Sequence, residues 1–311
     1  MVQFGQFVRN SRKTSAARDA DIVDIPFRPP ASYALDVEVF TLARFRGRVS
    51  DAHLRRTQRV DFHIMIYFES GTCTHMIDFE PVRCEPGTLL VLQPGQVQRF
   101  DVSLDTWDGW IVMCGPQFAS ESSISANKEE MLDVPTRHHL HGRDREIVVA
   151  SIERMHEDTL RAGDARTLDA LLHHELAALF ARLRLCARSE AAIKNGGGAN
   201  AELFRRFRMD VKRNIATTHR VADYARMAGC SEKTLGRAVL AATGDTAKAY
   251  LSRRLTLEAK RLLANTTLGI AVVAERLGFD EPSNFVKFFR RGAKEAPGEF
   301  RRRAATDREG P

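Results

Sequence analysis

GFDEPSNFVKFFRR, residues 278–291, sets phenylalanines at 285, 288 and 289 among a serine, an asparagine, a lysine and two arginines. That apolar spacing marks one face of a helix and leaves the polar residues on the other. A related segment lies upstream. VADYARMAGCSEKTL (221–235) and IAVVAERLGFDEPSNF (270–285) both contain Ala-x-x-x-Gly, at Ala225/Gly229 and Ala274/Gly278, offset by 49 residues. Each reads as a helix, a tight turn through glycine and a second helix: the alanine lets two helices cross closely, and the glycine takes the backbone where a Cβ is costly. Ser231 is placed to cap the second helix of the first unit, and Asp280 or Glu281 with Pro282 opens that of the second. Leu235, Ala238 and Val239 in one, and Phe285, Phe288 and Phe289 in the other, are then the inward stripes. The second turn is one residue longer.

Away from those stripes point Ser231, Glu232, Lys233, Gly236 and Arg237 in the first unit, and Ser283, Asn284, Lys287, Arg290 and Arg291 in the second. A helix in the major groove reads bases near its N-terminus while Arg and Lys further along hold phosphates. Asn284 matches adenine bidentately, and Arg237 matches guanine. Between the units, AKAYLSRRLTLEAKRLLAN (247–265) reads as one amphipathic helix with Leu251, Leu255, Leu262 and Leu263 on its apolar side. Such a rod suits two recognition helices set near the ~34 Å turn of B-DNA. Charge agrees: residues 201–311 hold 23 basic and 13 acidic side chains (+10), and residues 1–200 hold 24 and 27 (−3). One module therefore faces a polyanion, double-stranded DNA before an anionic membrane.

Residues 217–301 resemble the DNA-binding domain of the AraC/XylS transcription regulators. The pattern is carried by Ala225, Gly229, Ser231, Leu235, Thr243, Gly244, Leu262, Leu263, Gly278, Phe279, Ser283, Phe285, Phe289, Arg290, Arg291, Pro297, Phe300 and Arg301 in one register. Three positions depart from it: Thr256 where arginine is usual, Ala293 where an aromatic is usual, and Lys294 where glycine is usual. The resemblance implies a bacterial transcription regulator, an activator working with RNA polymerase at nearby promoters.

Residues 33–115 change character to short β-rich runs (YALDVEVFTLARF, FHIMIYF, CTHMIDF, GTLLVL, VQRFDV, WDGWIVMC) broken by SG, EPG and PGQ, which predicts an all-β sandwich or barrel. The segment 59–100 resembles the cupin-like ligand-binding and dimerisation domain found in many members of that family, implying a small β-barrel with a pocket for a small-molecule effector. Phe62, Ile64, Ile66, His75, Ile77 and Phe79 are the candidate pocket residues, each also readable as core. A metal cupin gathers several histidines and a glutamate; here His63 and His75 are present but Gln98 stands where the turn would supply a ligand. No metal, cofactor or catalytic residue is assigned, and His138, His139, His141, His173 and His174 are read as surface or capping residues.

The expected architecture is α+β in two domains: a mobile tail (1–20), a cupin-like barrel (21–118), a helical region (119–194), a Gly-rich linker (195–200), a double helix-turn-helix domain (201–303) and a tail (304–311). Leu168, Leu171, Leu172, Leu176, Leu179, Phe180 and Leu183 recur at helical spacing, a stripe that fits its own barrel or a second subunit and is assigned to homodimerisation. Five scattered cysteines have no zinc spacing; Cys73 and Cys84 flank a hairpin and could meet. No run approaches the ~20 apolar residues of a membrane span, and the start lacks a signal core, so a cytoplasmic protein is expected. Two other classes stay open: a cupin-type metal enzyme with an accessory basic domain, and a DNA-bending or base-modifying protein, for which no nucleophile or metal cluster is present.

Overall fold

A computed structural model describes residues 23–27, 35–47, 49, 57–100, 107–115, 118, 134–161, 163–195 and 198–306; the expected N-terminal tail lies outside them. The chain divides into two compact units, Met1–Ala187 and Arg188–Glu309.

In the first unit the elements run β1 (Val23–Ile25), β2 (Val37–Thr41), α1 (Leu42–Arg46), β3 (Gln58–Val60), β4 (His63–Gly71), β5 (Cys73–Ile77), β6 (Glu80–Cys84), β7 (Thr88–Leu92), β8 (Val97–Arg99), β9 (Trp107–Cys114), β10 (Arg137–His139), α2 (Gly142–Thr159) and α3 (Ala165–Asn195), whose residues 188–195 fall in the second unit. The strands form two five-stranded sheets, ordered β1-β3-β8-β5-β6 and β10-β7-β4-β9-β2. Among the described residues these face each other as a sandwich and do not close into the expected barrel. β10 also corrects the reading of 119–194 as helical, since Arg137–His139 pairs antiparallel with β7.

The second sheet is covered on both faces, which is why β4 and β7 read as nearly unbroken apolar runs. Ile64, Ile66, Phe68, Leu90, Leu92, Ile111 and Met113 meet the first sheet. Their neighbours Met65, Tyr67, Leu89, Val91 and Val112 meet Val148, Ile152 and Met155 of α2 and Leu172, Leu176, Leu179, Phe180 and Leu183 of α3. The leucine stripe assigned to a second subunit is thus buried on its own sheet. Each such side chain contributes about 1.5–3 kcal/mol by leaving water, and the bare sheet face supplied the partner. Leu171 departs from that stripe and is 41% exposed.

The β5–β6 hairpin turns at Asp78 and Phe79, with φ of 51° and 70°, the left-handed pair of a two-residue hairpin loop. Asp78 makes this tolerable by accepting hydrogen bonds from Gln96 Nε2 (2.7 Å) and the Val97 amide (3.2 Å). In the resulting register Cys73 stands opposite Cys84, and both are buried.

The second unit is helical: α4 (Ala199–Asn214), α5 (Val221–Met227), α6 (Glu232–Thr243), α7 (Ala247–Asn265), α8 (Ile270–Arg276), α9 (Pro282–Ala293) and α10 (Pro297–Thr306). α10 reaches three residues into the segment expected to be tail. No described helix is long and apolar enough to cross a membrane.

His138, read from sequence as a surface residue, is only 3% exposed, because β10 lays it against Leu89 of β7. Burial pushes its imidazole down to about 4 from 6.5, outweighing an opposing hydrogen bond at Pro135. The unfolded chain therefore takes up a proton between about pH 6.5 and 4 that the folded unit refuses, so this residue's contribution falls as pH falls through that window. We expect its loss to approach about 3 kcal/mol near pH 4. Urea unfolding from pH 4 to 7 should show a shallower slope in His138→Gln than in the unsubstituted chain; equal slopes refute the assignment.

Candidate functional site

In the first helix-turn-helix unit α5 and α6 are joined through Gly229 at φ 66°, and the Cys230 amide donates back to the Ala225 carbonyl at 3.0 Å. The second unit repeats this bond: Gly278 takes φ 71° and the Phe279 amide donates to the Ala274 carbonyl at 3.0 Å. Both are helix C-terminal motifs in which a left-handed residue lets the next amide reach back five residues. Ala225 and Ala274 are both buried.

The starts of the second helices differ. Ser231 Oγ accepts from the Thr234 amide at 3.1 Å, capping α6, whereas Glu281 precedes Pro282 at the start of α9 without a side-chain cap bond. Leu235, Ala238 and Val239 are buried under α6, and Phe285 and Phe289 under α9. Phe288, expected in the same stripe, is only half-buried and lies against Phe279 with ring centroids 5.3 Å apart. Around each helix an aromatic group closes the core. Phe207 of α4 meets Tyr224 and Tyr250, each at 5.5 Å, and Phe289 meets Phe300 of α10 at 5.6 Å. The Tyr224 hydroxyl donates to the Thr218 carbonyl at 2.8 Å, and burial pushes its pKa up to about 12.

α7 spans the predicted residues, Ala247–Asn265, about 28 Å at 1.5 Å per residue. Leu251, Leu255 and Leu263 are buried along it. The departures from the family pattern have a structural account at two positions. Thr256 is buried where a Cβ added at Gly292 would collide with its hydroxyl, so α9 passes α7 at a glycine and leaves no room for a larger residue. Lys294 closes α9 in the left-handed region at φ 66°, as Gly244 closes α6 at φ 75°. Arg301 is structural, its guanidinium donating to the Leu263 and Leu268 carbonyls at 3.2 and 2.6 Å.

Ser231, Glu232, Lys233 and Arg237 on α6 are exposed, as are Ser283, Asn284, Lys287, Arg290 and Arg291 on α9, and Gly236 is half-exposed. Among the described residues, the side chains of Lys233, Arg237, Asn284, Lys287, Arg290 and Arg291 have no hydrogen-bond or ion-pair partner. Elsewhere in the unit some arginines are engaged, Arg226 with Asp223 at 3.1 Å, Arg253 with Asp245 at 2.5 Å and Arg261 with Glu258 at 3.3 Å, while the exposed Arg206, Arg220, Lys248 and Arg276 are not. Five of the unit's unpartnered cations thus lie on the second helices, Lys233 and Arg237 on α6 and Lys287, Arg290 and Arg291 on α9.

In the first unit Phe62, Ile64, Ile66 and Ile77 lie in the core between the sheets. His75 is buried beside Phe100, ring centroids 4.9 Å apart, with Nε2 3.0 Å from Gln98 Oε1. Phe79 is not with them: it sits half-exposed at the hairpin turn, because the left-handed pair ends the strand one residue before Asp78. His63 points the other way, edge-on to Phe180 of α3 at 6.1 Å. The second sheet thus separates His63 from His75, and Gln98 engages His75, so these side chains do not assemble a cupin metal set. One group that sequence reasoning missed is Asp36, Asp169 and His173. Its legible part was the four-residue spacing of Asp169 and His173; Asp36 is joined to them only by folding.

Two glycine substitutions separate the turns. A Cβ at Gly229 meets nothing within 4 Å, whereas at Gly278 it would lie 2.8 Å from the Ala216 carbonyl oxygen. Gly229→Ala should cost about 1–2 kcal/mol for the left-handed backbone alone, and Gly278→Ala at least about 1 kcal/mol more, by urea unfolding. Lys294→Gly should stabilise the same unit by about 1 kcal/mol; no change in its midpoint would show that this residue carries no strain.

Comparison with known proteins gives two family matches, an AraC-like ligand binding domain over residues 40–205 and a helix-turn-helix domain over residues 224–303. Similar sequences include the HTH-type transcriptional activator RhaS of Salmonella schwarzengrund (strain CVM19633), 22% identical over 244 residues that take in 78% of this chain and 85% of RhaS. Among solved structures, ToxT from Vibrio cholerae O395 is 12% identical with a TM-score of 0.38, over 89% of this chain and 99% of its own. A transcriptional regulator with an AraC-type DNA-binding domain from Chromobacterium violaceum is 22% identical with a TM-score of 0.31, over 33% and 93%.

Proposed function

The chain belongs to the AraC/XylS family of DNA-binding transcription regulators, and from that premise we propose that α6 and α9 enter successive major grooves of one duplex. The observation that carries this is the pair of matching turns, each followed by a helix whose exposed face holds unpartnered cations. In this reading Arg237 and Asn284, near the helix starts, read guanine and adenine edges. Lys233, Lys287, Arg290 and Arg291 hold phosphates and release counterions, and Ser231, Glu232, Gly236 and Ser283 line the approach. α7, about 28 Å long, sets a separation suited to the ~34 Å turn of B-DNA.

The first unit is the family's ligand-binding domain. The proposed effector is a small molecule held between the sheets by Phe62, Ile64, Ile66 and Ile77, with the His75–Gln98 pair as the polar contact. Homodimerisation is proposed through the far side of α3, where Leu171 and Leu185 are 41% and 64% exposed. Ala178 lies exposed midway between them, a seven-residue spacing that suits a helix pair. Activation through RNA polymerase, in a bacterial cytoplasm, completes the reading; RhaS, itself an activator by name, supports it.

The test starts with the duplex that full-length protein selects from random DNA. Arg237→Ala and Asn284→Ala should each lose ~1–3 kcal/mol on that site and little on unrelated DNA. Lys287→Ala and Arg290→Ala should weaken both about equally and lower the salt slope by about one each. Equal losses for all four on both DNAs would refute base reading by α6 and α9.

A further inference from the structure

Asp36 lies just before β2, in a chain segment fixed by a 3.1 Å bond from the Gly115 amide to its carbonyl. Its own amide donates to Asp169 Oδ1 at 2.9 Å, across 133 residues of sequence. Asp169 stands near the start of α3, and its other oxygen is 3.6 Å from Nδ1 of His173 one turn on. The Asp169 and His173 side chains are 24% and 14% exposed. Phe118 backs the imidazole with ring centroids 5.5 Å apart. Nε2 on the far edge is enclosed without a hydrogen-bond partner among the described residues, so Nδ1 is the nitrogen that faces the carboxylates. One ligand atom from each of the three residues falls within 4.8 Å of the others.

From this arrangement we infer that Asp36, Asp169 and His173 form a binding site for a divalent first-row transition-metal cation. The chemistry of the set selects the class: two carboxylates and an imidazole suit zinc and its neighbours, while magnesium and calcium prefer oxygen alone. The two carboxylates are held together in a partly enclosed place, where a bound cation offsets their mutual repulsion. Tetrahedral zinc at bond lengths of ~2.0–2.2 Å needs ligand atoms about 3.3 Å apart. The Asp169–His173 pair is already near that spacing, and Asp36 closes it by a small side-chain movement. Water completes the coordination on the open side. The ion would tie the first turns of α3 to the edge strand β2, clamping the helical cover onto the sheet. This site is independent of the DNA reading, and either can fail without the other.

The test uses full-length protein stripped with a chelator and titrated with zinc chloride alone. Elemental analysis after gel filtration should give one zinc per chain, and the melting temperature should rise with zinc until that stoichiometry is reached. Asp169→Asn keeps an acceptor for the Asp36 amide, and His173→Gln keeps a side chain of similar length. Each should weaken zinc binding at least tenfold while the metal-free protein remains folded; should one fail to fold, Asp36→Asn takes its place. His139 and His141, whose rings face each other at 4.3 Å, are the competing place for an adventitious ion, so His139→Gln/His141→Gln should bind zinc as before. No retained zinc, or binding lost in that double variant but kept in Asp169→Asn and His173→Gln, overturns the site.

Discussion

The second unit depends on one backbone hydrogen bond made twice, from the amide after a left-handed glycine to the carbonyl of an alanine in the preceding helix. The bond fixes where the chain leaves the first helix and so the angle at which the second crosses it. Once that angle is set, the faces follow. Leu235 and Val239, or Phe285 and Phe289, are driven inward, and the intervening polar residues have nowhere to point except outward. Arg237 and Asn284 are exposed for this reason, without any contact of their own to hold them there. A Cβ at Gly278 would meet the Ala216 carbonyl, so the second turn is constrained by its surroundings as well as by its own backbone.

The two units share that turn but are finished differently. The first has a serine cap at its start and glycine at its end; the second has proline at its start, no side-chain cap, and Lys294 forced into a left-handed conformation. Its compensation is aromatic. Phe279, Phe285, Phe289 and Phe300 form a continuous ladder with neighbouring centroids 5.4–5.9 Å apart, and Arg301 ties the adjoining chain to the end of α7. Packing thus supplies in α9 what local capping supplies in α6, consistent with the general dominance of tertiary burial over helix-end effects.

Legibility followed the range of the interactions. The second unit was readable because its determinants are local: a repeated Ala-x-x-x-Gly, a cap at Ser231, a proline at 282 and helical stripes all lie within a few residues of one another. α7 could be bounded from sequence for the same reason. In the first unit the strands were legible from alternation, but what covers them was not. The stripe on α3 carries no mark saying which sheet it meets. Its assignment to another subunit failed because the second sheet presents a complete apolar face of its own. Phe79 was misplaced because a left-handed Asp-Phe turn lacks glycine and is held by Gln96 and Val97, at the entry to β8. His138 was taken for a surface residue because β10 is too short, three residues, to show a pattern. Asp36 and His173 are brought together only by folding, which no local reading detects.

α3 shows how one helix serves several surfaces without conflict. At 100° per residue, Leu172, Leu176, Leu179 and Leu183 cluster on the side that covers the sheet, and Leu171, Ala178 and Leu185 centre roughly 130° away from them. Asp169 and His173 fall on the opposite flank, next to the buried stripe and facing the edge where β2 begins. A cation held there would tighten α3 against its own sheet while leaving the exposed leucines where they are. A partner helix on that far side would in turn leave the carboxylates untouched. The net charge of −3 on residues 1–200, against +10 on residues 201–311, fits the same division: the segment that offers cation ligands is the acidic one, and the segment with the DNA-binding helices is the basic one.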